Sequence, residues 1–150
     1  MFIAKLIVTE KPSVAISYAK ILGVHGRQDG YLEGNGYLVS WCVGHLVELA
    51  PPSAYGEQYV KWNIADLPIL PEKWQYLVSA STKKQFGILK KLMHRADVNT
   101  VVNSCDAGRE GELIFRLVYE MTGRPDAKSL FPGCGCPAWR IPLSGRALQI

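Results

Sequence analysis

The acidic side chains best placed to do chemistry are concentrated in one short segment, residues 103–112, with the sequence NSCDAGREGE. Asp106, Glu110 and Glu112 lie within seven residues, and Gly108 allows the chain to turn tightly between them. Neighbouring carboxylates repel one another unless a cation neutralises them, and Mg²⁺ commonly binds one or two protein carboxylates while keeping several waters. Acidic residues also favour the first turn of a helix, where the helix dipole stabilises them. Taken alone, the segment fits either interpretation.

The residues around this segment predict a strand followed by a helix. An apolar run predicts a strand over residues 100–105, and the helical spacing of later apolar residues predicts a helix that begins at Arg109. Asp106 is therefore expected at the carboxyl end of a strand. The apolar residues that recur at helical spacing are Leu113, Ile114, Leu117, Val118 and Met121.

Glu10 occupies the same kind of position earlier in the chain. The apolar run 3–9 predicts a strand, and Lys11, Pro12 and Ser13 predict a helix start directly after Glu10. Ligands of open α/β sheets gather outside the carboxyl ends of the strands, so two neighbouring parallel strands would place Glu10 and Asp106 a few ångströms apart. The simpler alternative is that Glu10 and Lys11 are ordinary solvated charges.

Three segments together resemble a known family. They are VTEKPSVA at residues 8–15, WCVGHLVELAPP at residues 41–52 and DAGREGELI at residues 106–114. Their order and separation, over about residues 1–123, are similar to the Toprim domain that opens a type IA DNA topoisomerase, most closely bacterial topoisomerase III. The fold that this resemblance implies is α/β and Rossmann-like, with a mostly parallel central sheet flanked by helices and an inserted β-hairpin.

The resemblance also implies roles for particular residues. Glu10 and Asp106 would bind Mg²⁺, for which Mn²⁺ is a candidate substitute, with Glu110 or Glu112 assisting, and Lys11 would act at the scissile phosphate. Arg109 and Glu110 join Glu10 and Lys11 as predicted catalytic residues, and His45 is a candidate contributor because its GHL segment lies near the acids in that family. Many members carry a second aspartate where this chain has Gly108, which argues against a fully occupied second metal site.

The resemblance further implies the reaction and its partners. Such an enzyme opens one strand of DNA with a tyrosine, passes a strand and reseals it without ATP, and no GxxxxGK[ST] nucleotide-binding motif is present. Its partner would be single-stranded or negatively supercoiled DNA. The nucleophilic tyrosine lies in a later domain in that family, so this chain alone is predicted to bind Mg²⁺ and not to relax supercoils. Two alternatives remain open: a Toprim nuclease that uses a metal-activated water, and a non-catalytic nucleic-acid-binding module.

Composition is that of an ordinary globular domain. The chain has 150 residues, 48% hydrophobic and 20% charged, and its net charge of +4 suits a nucleic-acid partner without requiring one. No apolar run is long enough to span a membrane and no signal peptide precedes the first strand, so a cytoplasmic location is predicted. Cys134 and Cys136 form a CxC pair with no histidine after it, which is a weak zinc signal.

Further elements are predicted between the two acidic positions. These are a helix over residues 13–22, a hairpin over residues 31–43 that turns at residues 34–36, a strand from about residue 75, and a helix to about residue 95 that begins with a capping box of Thr82 and Gln85. Residues 44–74 are expected to form an ordered surface excursion. Its aromatic side chains and lysines are interpreted as packing on their own domain, with base stacking as the alternative.

The last residues differ in character from the rest. Residues 125–150 contain four of the nine prolines and show neither helical nor strand periodicity. We therefore assign residues 1–124 to the Toprim domain and expect residues 125–150 to be a disordered tail or an out-of-frame extension.

Overall fold

The computed structural model describes residues 4–123, together with the backbone of residues 142–143 and 146–147. The helices are α1 (Pro12–Ile21), α2 (Lys83–Met93) and α3 (Arg109–Thr122). The strands are β1 (Ala4–Thr9), β2 (Gly26–Gln28), β3 (Tyr31–Gly34), β4 (Tyr37–Trp41), β5 (Val47–Leu49), β6 (Tyr76–Val78), β7 (Val98–Ser104), β8 (Pro142–Leu143) and β9 (Arg146–Ala147).

A five-stranded sheet in the spatial order β2-β3-β4-β1-β7 forms the centre of the protein. β1 pairs in parallel with β4 on one side and with β7 on the other, so that Thr9 is aligned with both Trp41 and Ser104. β3 alone runs against the other strands of this sheet. The predicted mostly parallel α/β sheet is therefore confirmed, and β1 and β7 end side by side.

The predicted hairpin is also confirmed. β3 and β4 pair antiparallel, and the two residues between them, Asn35 and Gly36, have φ values of 49° and 77°. Positive φ at both central positions is typical of the type I′ turn that closes tight hairpins. The preceding strand β2 was not predicted, because its three residues are polar or glycine and all are exposed.

Helices cover both faces of the sheet. α1 packs Ala15 and Ala19 with Ile7 of β1 on one face, as the spacing of residues 13–22 predicted. α2 and α3 pack on the other face, where Leu6 and Val8 of β1 are fully buried. Successive side chains of β1 therefore belong alternately to two separate hydrophobic cores, as expected of a strand covered on both sides.

In α3, Leu113 is 48% exposed and Met121 is 37% exposed, although both belong to the apolar set that predicted this helix, while Phe115 is buried. The capping box predicted at the start of α2 is wrong. In α2, Thr82 makes no capping hydrogen bond from its side chain. Gln85 instead donates to the carbonyl oxygens of Gly30 and Trp41, and so ties α2 to β4 and to the turn before β3.

An ion-pair network fixes the end of the sheet opposite the acidic segment. The Arg95 guanidinium donates to both carboxylate oxygens of Asp97, at 2.9 and 2.7 Å, and to Glu33 of β3 at 2.8 Å. These hydrogen bonds from Arg95 hold the pKa of Asp97 below its usual range and raise the pKa of Arg95.

Residues 51–75 form the expected ordered surface excursion between β5 and β6. Three short 3₁₀ turns, Pro52–Ala54, Glu57–Val60 and Ile64–Asp66, shape it. Tyr55 packs edge-on against Trp74, and its hydroxyl accepts a hydrogen bond from the amide of Gln75 at 2.9 Å. Within the described residues β5 and β6 pair only with each other, so the strand predicted near residue 75 lies outside the central sheet.

Within the part of the chain that the structure describes, no helix combines the length and the apolar character that crossing a bilayer requires. The predicted tail, residues 125–150, lies outside the described residues except for the antiparallel pair β8 and β9.

Candidate active site

Glu10, Lys11 and Asp106 meet at the carboxyl ends of β1 and β7. The Lys11 ammonium nitrogen lies 3.8 Å from Glu10 Oε1 and 4.0 Å from Asp106 Oδ2. Glu10 is the shielded member, with its side chain 16% exposed, whereas the side chains of Lys11 and Asp106 are 59% and 66% exposed. Two carboxylates therefore lie beside one ammonium group at the carboxyl ends of β1 and β7. The sequence predicted that these strand ends would bring Glu10 and Asp106 close together.

Local hydrogen bonds fix the chain around Glu10. The buried Thr9 hydroxyl donates to the carbonyl oxygen of Lys11 at 3.0 Å, which holds the turn from β1 into α1. Pro12 follows at the first helical position, where its missing amide proton costs nothing. The amide of Gly44 donates to the carbonyl oxygen of Glu10, so the GHL segment is joined directly to the acidic site.

A close backbone approach positions Asp106. Gly108 is the N-cap of α3 and has an extended backbone, and a β-carbon placed there would meet nothing within 4 Å. Gly111 is different, because a β-carbon there would overlap the carbonyl oxygen of Asp106. The first turn of α3 therefore packs against the strand end that carries Asp106, and glycine is what permits this contact.

The other predicted acids have partners of their own. Glu110 is 80% exposed, and its Oε1 lies 3.3 Å from His45 Nε2. Glu112 accepts hydrogen bonds on both oxygens, from Asn103 Nδ2 at 2.9 Å and from Arg116 Nε at 2.6 Å. Glu112 therefore joins the end of β7 to α3.

The predicted residues thus form three adjoining groups. Glu10, Lys11 and Asp106 form the first, His45 and Glu110 the second, and Glu112 the third, while Arg109 is exposed at the first residue of α3. Sequence reasoning missed Asn103 and Arg116; the four-residue spacing from Glu112 to Arg116 was the available signal for one of them.

The donor chemistry of the first group suits a hard cation. Among the described residues no three His, Cys, Asp or Glu side chains converge as a metal cluster. Two carboxylates with open space beside them are nevertheless what Mg²⁺ commonly takes from a protein, because water and phosphate oxygens complete its shell. Glu10 and Asp106 fit this requirement, and the Lys11 ammonium supplies the positive charge between them.

Two buried cysteines lie beneath this group. Cys42 is fully buried just after β4, and Cys105 is 4% exposed just after β7. A hydrogen bond with Cys42 raises the pKa of the Cys105 thiol, and burial and the nearby charges of Glu10 and Asp106 act in the same direction. Cys105 therefore stays a protonated thiol, which is a poor nucleophile and a poor metal ligand.

Comparison with known proteins gives consistent matches. A family model described as the Toprim domain matches residues 5–134. The chain is 47% identical over 116 residues to the DNA topoisomerase 3 of Shouchella clausii, and 46% identical over 115 residues to those of Bacillus subtilis and Bacillus anthracis. Each alignment covers 77% of this chain and 16% of the relative, so the chain spans only a small part of the length of these relatives.

Proposed function

This chain belongs to the Toprim domain family, and from that premise we propose that it is the Mg²⁺-binding, phosphate-handling domain of an enzyme of the DNA topoisomerase 3 kind. Such a type IA enzyme cleaves and rejoins single DNA strands without ATP. The observation that best supports the proposal is the group of Glu10, Lys11 and Asp106 at the ends of two adjacent parallel strands. This edge is where open α/β sheets bind their ligands.

Glu10 and Asp106 are the residues proposed to hold the cation. A bound Mg²⁺ would supply Lewis-acid stabilisation of charge on a phosphate oxygen, and Mn²⁺ is the proposed substitute because it also prefers oxygen ligands. Glu110 and Glu112 are proposed to assist. Glu112 would do so mainly by holding the end of β7 against α3, since both of its oxygens are already engaged.

The chain's own cations would act on the scissile phosphate. Lys11 places a compact positive charge beside both acids, where it can bind a non-bridging phosphate oxygen, and Arg109 at the start of α3 can hold a second. During cleavage, a tyrosine hydroxyl from elsewhere in the enzyme would release its proton to solvent as its oxygen bonds to phosphorus. The bond from phosphorus to the 3′ oxygen breaks, and the leaving oxygen takes up a proton.

As the alternative to holding the cation, the shielded carboxyl group of Glu10 is proposed to move that proton. In that role it would give a proton to the 3′ oxygen during cleavage and take it back during resealing, while Glu110, which contacts His45, would assist at the same phosphate. The proposed partner is single-stranded or negatively supercoiled DNA within the larger enzyme. A cytoplasmic location also remains a prediction.

A Mg²⁺ titration of thermal stability tests the ion site. At constant ionic strength, Mg²⁺ should raise the unfolding temperature of the wild type, because a ligand at 100 times its Kd stabilises the folded state by about 2.7 kcal/mol. Asp106→Asn should abolish this response. Glu57→Gln removes one exposed carboxylate outside the site and is the matched control, so it should leave the response intact. Equal responses in all three proteins would refute the site.

Assays on supercoiled DNA separate the proposed function from the alternatives. The isolated 150 residues are expected neither to relax nor to nick a supercoiled plasmid, because the aligned region makes up only 16% of the DNA topoisomerase 3 relatives. Metal-dependent nicking that Glu10→Gln abolishes would instead establish a Toprim nuclease. DNA binding that is unchanged by Glu10→Gln and Asp106→Asn, without any Mg²⁺ response, would indicate a non-catalytic binding module.

A further inference from the structure

Exposed hydrophobic side chains are concentrated in residues 51–77, which we call the apolar arm. Among the described residues, eight of the fourteen exposed large hydrophobic side chains belong to it, so the exposure is clustered rather than scattered. Ile64 is 87% exposed, Trp62 82% and Leu70 78%. Clusters of this kind on a folded domain mark surfaces that bind another macromolecule.

The apolar arm has no core of its own. Every residue from 51 to 85 is half-buried or exposed, although the arm contains two tryptophans and several leucine and isoleucine side chains. Tyr55 and Trp74 pin its ends together, as the packing interpretation predicted, whereas for Trp62 that interpretation is wrong. Ordering a long segment costs conformational entropy, and here little burial within the domain offsets the cost.

The charge of the apolar arm indicates what kind of partner covers it. The arm has three acids, Glu57, Asp66 and Glu72, and two lysines, Lys61 and Lys73, so its net charge is negative. Nucleic-acid surfaces bind through a surplus of cations that neutralise phosphates. The balance in the arm therefore favours a protein surface over a DNA strand.

The length of the relatives offers a candidate for that protein surface. The aligned region makes up 16% of each DNA topoisomerase 3, so the greater part of those chains lies outside it. We propose that the apolar arm is the surface on which the remainder of a DNA topoisomerase 3 chain docks. The proposal rests on the proposed function only in assuming that this domain works within an enzyme of the DNA topoisomerase 3 kind. It requires neither ion binding nor catalytic activity.

The apolar arm is connected to elements of the candidate active site. β5 leads into the arm and begins two residues after His45, which contacts Glu110. Val47 of β5 is buried in the same core as α3, the helix that carries Glu110. The base of the arm is therefore joined to the elements that carry the candidate active site.

Photo-crosslinking in a full-length chimera tests the proposal. Residues 1–123 of this chain would replace the corresponding region of Bacillus subtilis DNA topoisomerase 3, with p-benzoylphenylalanine at position 62. Irradiation should link position 62 to peptides of the Bacillus segment within the same molecule. The matched control position is 21, because Ile21 is 69% exposed on α1, the helix on the other face of the sheet, and it should give no such link.

Each other crosslinking outcome overturns the proposal. A link to a second protein molecule would identify another copy as the occupant, and a link to an added oligonucleotide would identify DNA. Equal linking from positions 62 and 21, or none from position 62, would mean that the arm is not a docking surface. None of these readouts depends on Mg²⁺ or on catalysis. The docking proposal can therefore be refuted while the proposed function stands, and the reverse.

A second measurement keeps the proposal testable if the chimera folds poorly. In the isolated chain, the double variant Trp62→Ser with Ile64→Ser should leave the unfolding temperature unchanged, and light scattering should show a monomer before and after the substitution. In the chimera, the same variant should lower the midpoint of the unfolding transition, because the docked side chains lose their contacts. A lowered midpoint in the isolated chain, or a dimer that the substitutions dissociate, would refute the proposal.

Discussion

Replacing Gly111 with alanine should disturb the position of Asp106. Gly111 is the third residue of α3, and a β-carbon there would overlap the carbonyl oxygen of Asp106 and lie 2.9 Å from its amide nitrogen. β-Carbons in folded proteins do not approach backbone atoms so closely. Either α3 must move away from the end of β7 or the turn that carries Asp106 must move.

The size of the effect follows from two opposing contributions. Alanine is favoured over glycine inside a helix by about 1 kcal/mol, whereas forcing an extra carbon into a packed site costs about 1–3 kcal/mol. Gly87→Ala in α2 is the matched control, because a β-carbon at Gly87 meets nothing within 4 Å and only the favourable contribution applies. We expect Gly111→Ala to be about 1–3 kcal/mol less stable than Gly87→Ala.

Urea unfolding followed by circular dichroism measures this difference directly. The measurement should be made without Mg²⁺, so that ion binding does not contribute, and equal m-values would show that both variants unfold from equally compact states. A Gly111→Ala protein as stable as Gly87→Ala would refute the close approach of α3 to Asp106. Glycine at position 111 would then have no steric explanation.

Three further predictions concern the scaffold. Gln85→Ala should lower the free energy of unfolding by about 1–3 kcal/mol, because the carbonyl oxygens of Gly30 and Trp41 lose the Gln85 donor and Gly30 keeps only the Ser40 hydroxyl; a loss below about 0.5 kcal/mol in urea unfolding would contradict the assigned hydrogen bonds. Asp97→Asn should destabilise the protein at neutral pH, and its gap from the wild type should close as the pH falls below about 4. The reason is that the folded-state pKa of Asp97 is lowered, so its contribution exists above the unfolded pKa and is lost in acid; a gap independent of pH in thermal melts would refute this. With Cys134 and Cys136 replaced by serine, Cys105 should react with maleimide only as fast as the protein unfolds. The reason is that its thiol is buried and the pKa of this thiol is raised. Rapid labelling of the native protein would refute the burial of Cys105.

The strands that bear the acids could be predicted because their signals are local. Short β-branched runs followed by Glu10 and Asp106 specified two strand ends, and the positive-φ pair at Asn35 and Gly36 was visible as a turn signal. The pairing of β1 with β7 was predicted only through the general rule on open α/β sheets and through the family resemblance. Its register, Thr9 with Ser104, comes from the structure.

What could not be predicted depends on contacts between distant residues. Thr82 and Gln85 have the spacing of a capping box, but the carbonyl oxygens of Gly30 and Trp41 compete for the Gln85 amide and win. The buried face of α3 includes Phe115 and leaves Leu113 exposed because the facing core, not helical spacing alone, decides which side chains are covered. Glu112 resembled a free acid in the sequence, and only the fold brings Asn103 to it.

The position of β1 between β4 and β7 has a consequence for how the protein is made. β1 is synthesised before β4 and β7, yet one of its two neighbours is β7, and the Cys105 thiol lies 3.9 Å from a Val8 carbonyl oxygen 97 residues earlier in the chain. Non-local pairings of this kind form slowly. During synthesis, the backbone groups along one edge of β1 therefore stay unpaired until β7 has been made. Glu10 and Asp106 come together only when β7 pairs with β1. An assembled acidic site therefore shows that the central sheet is complete.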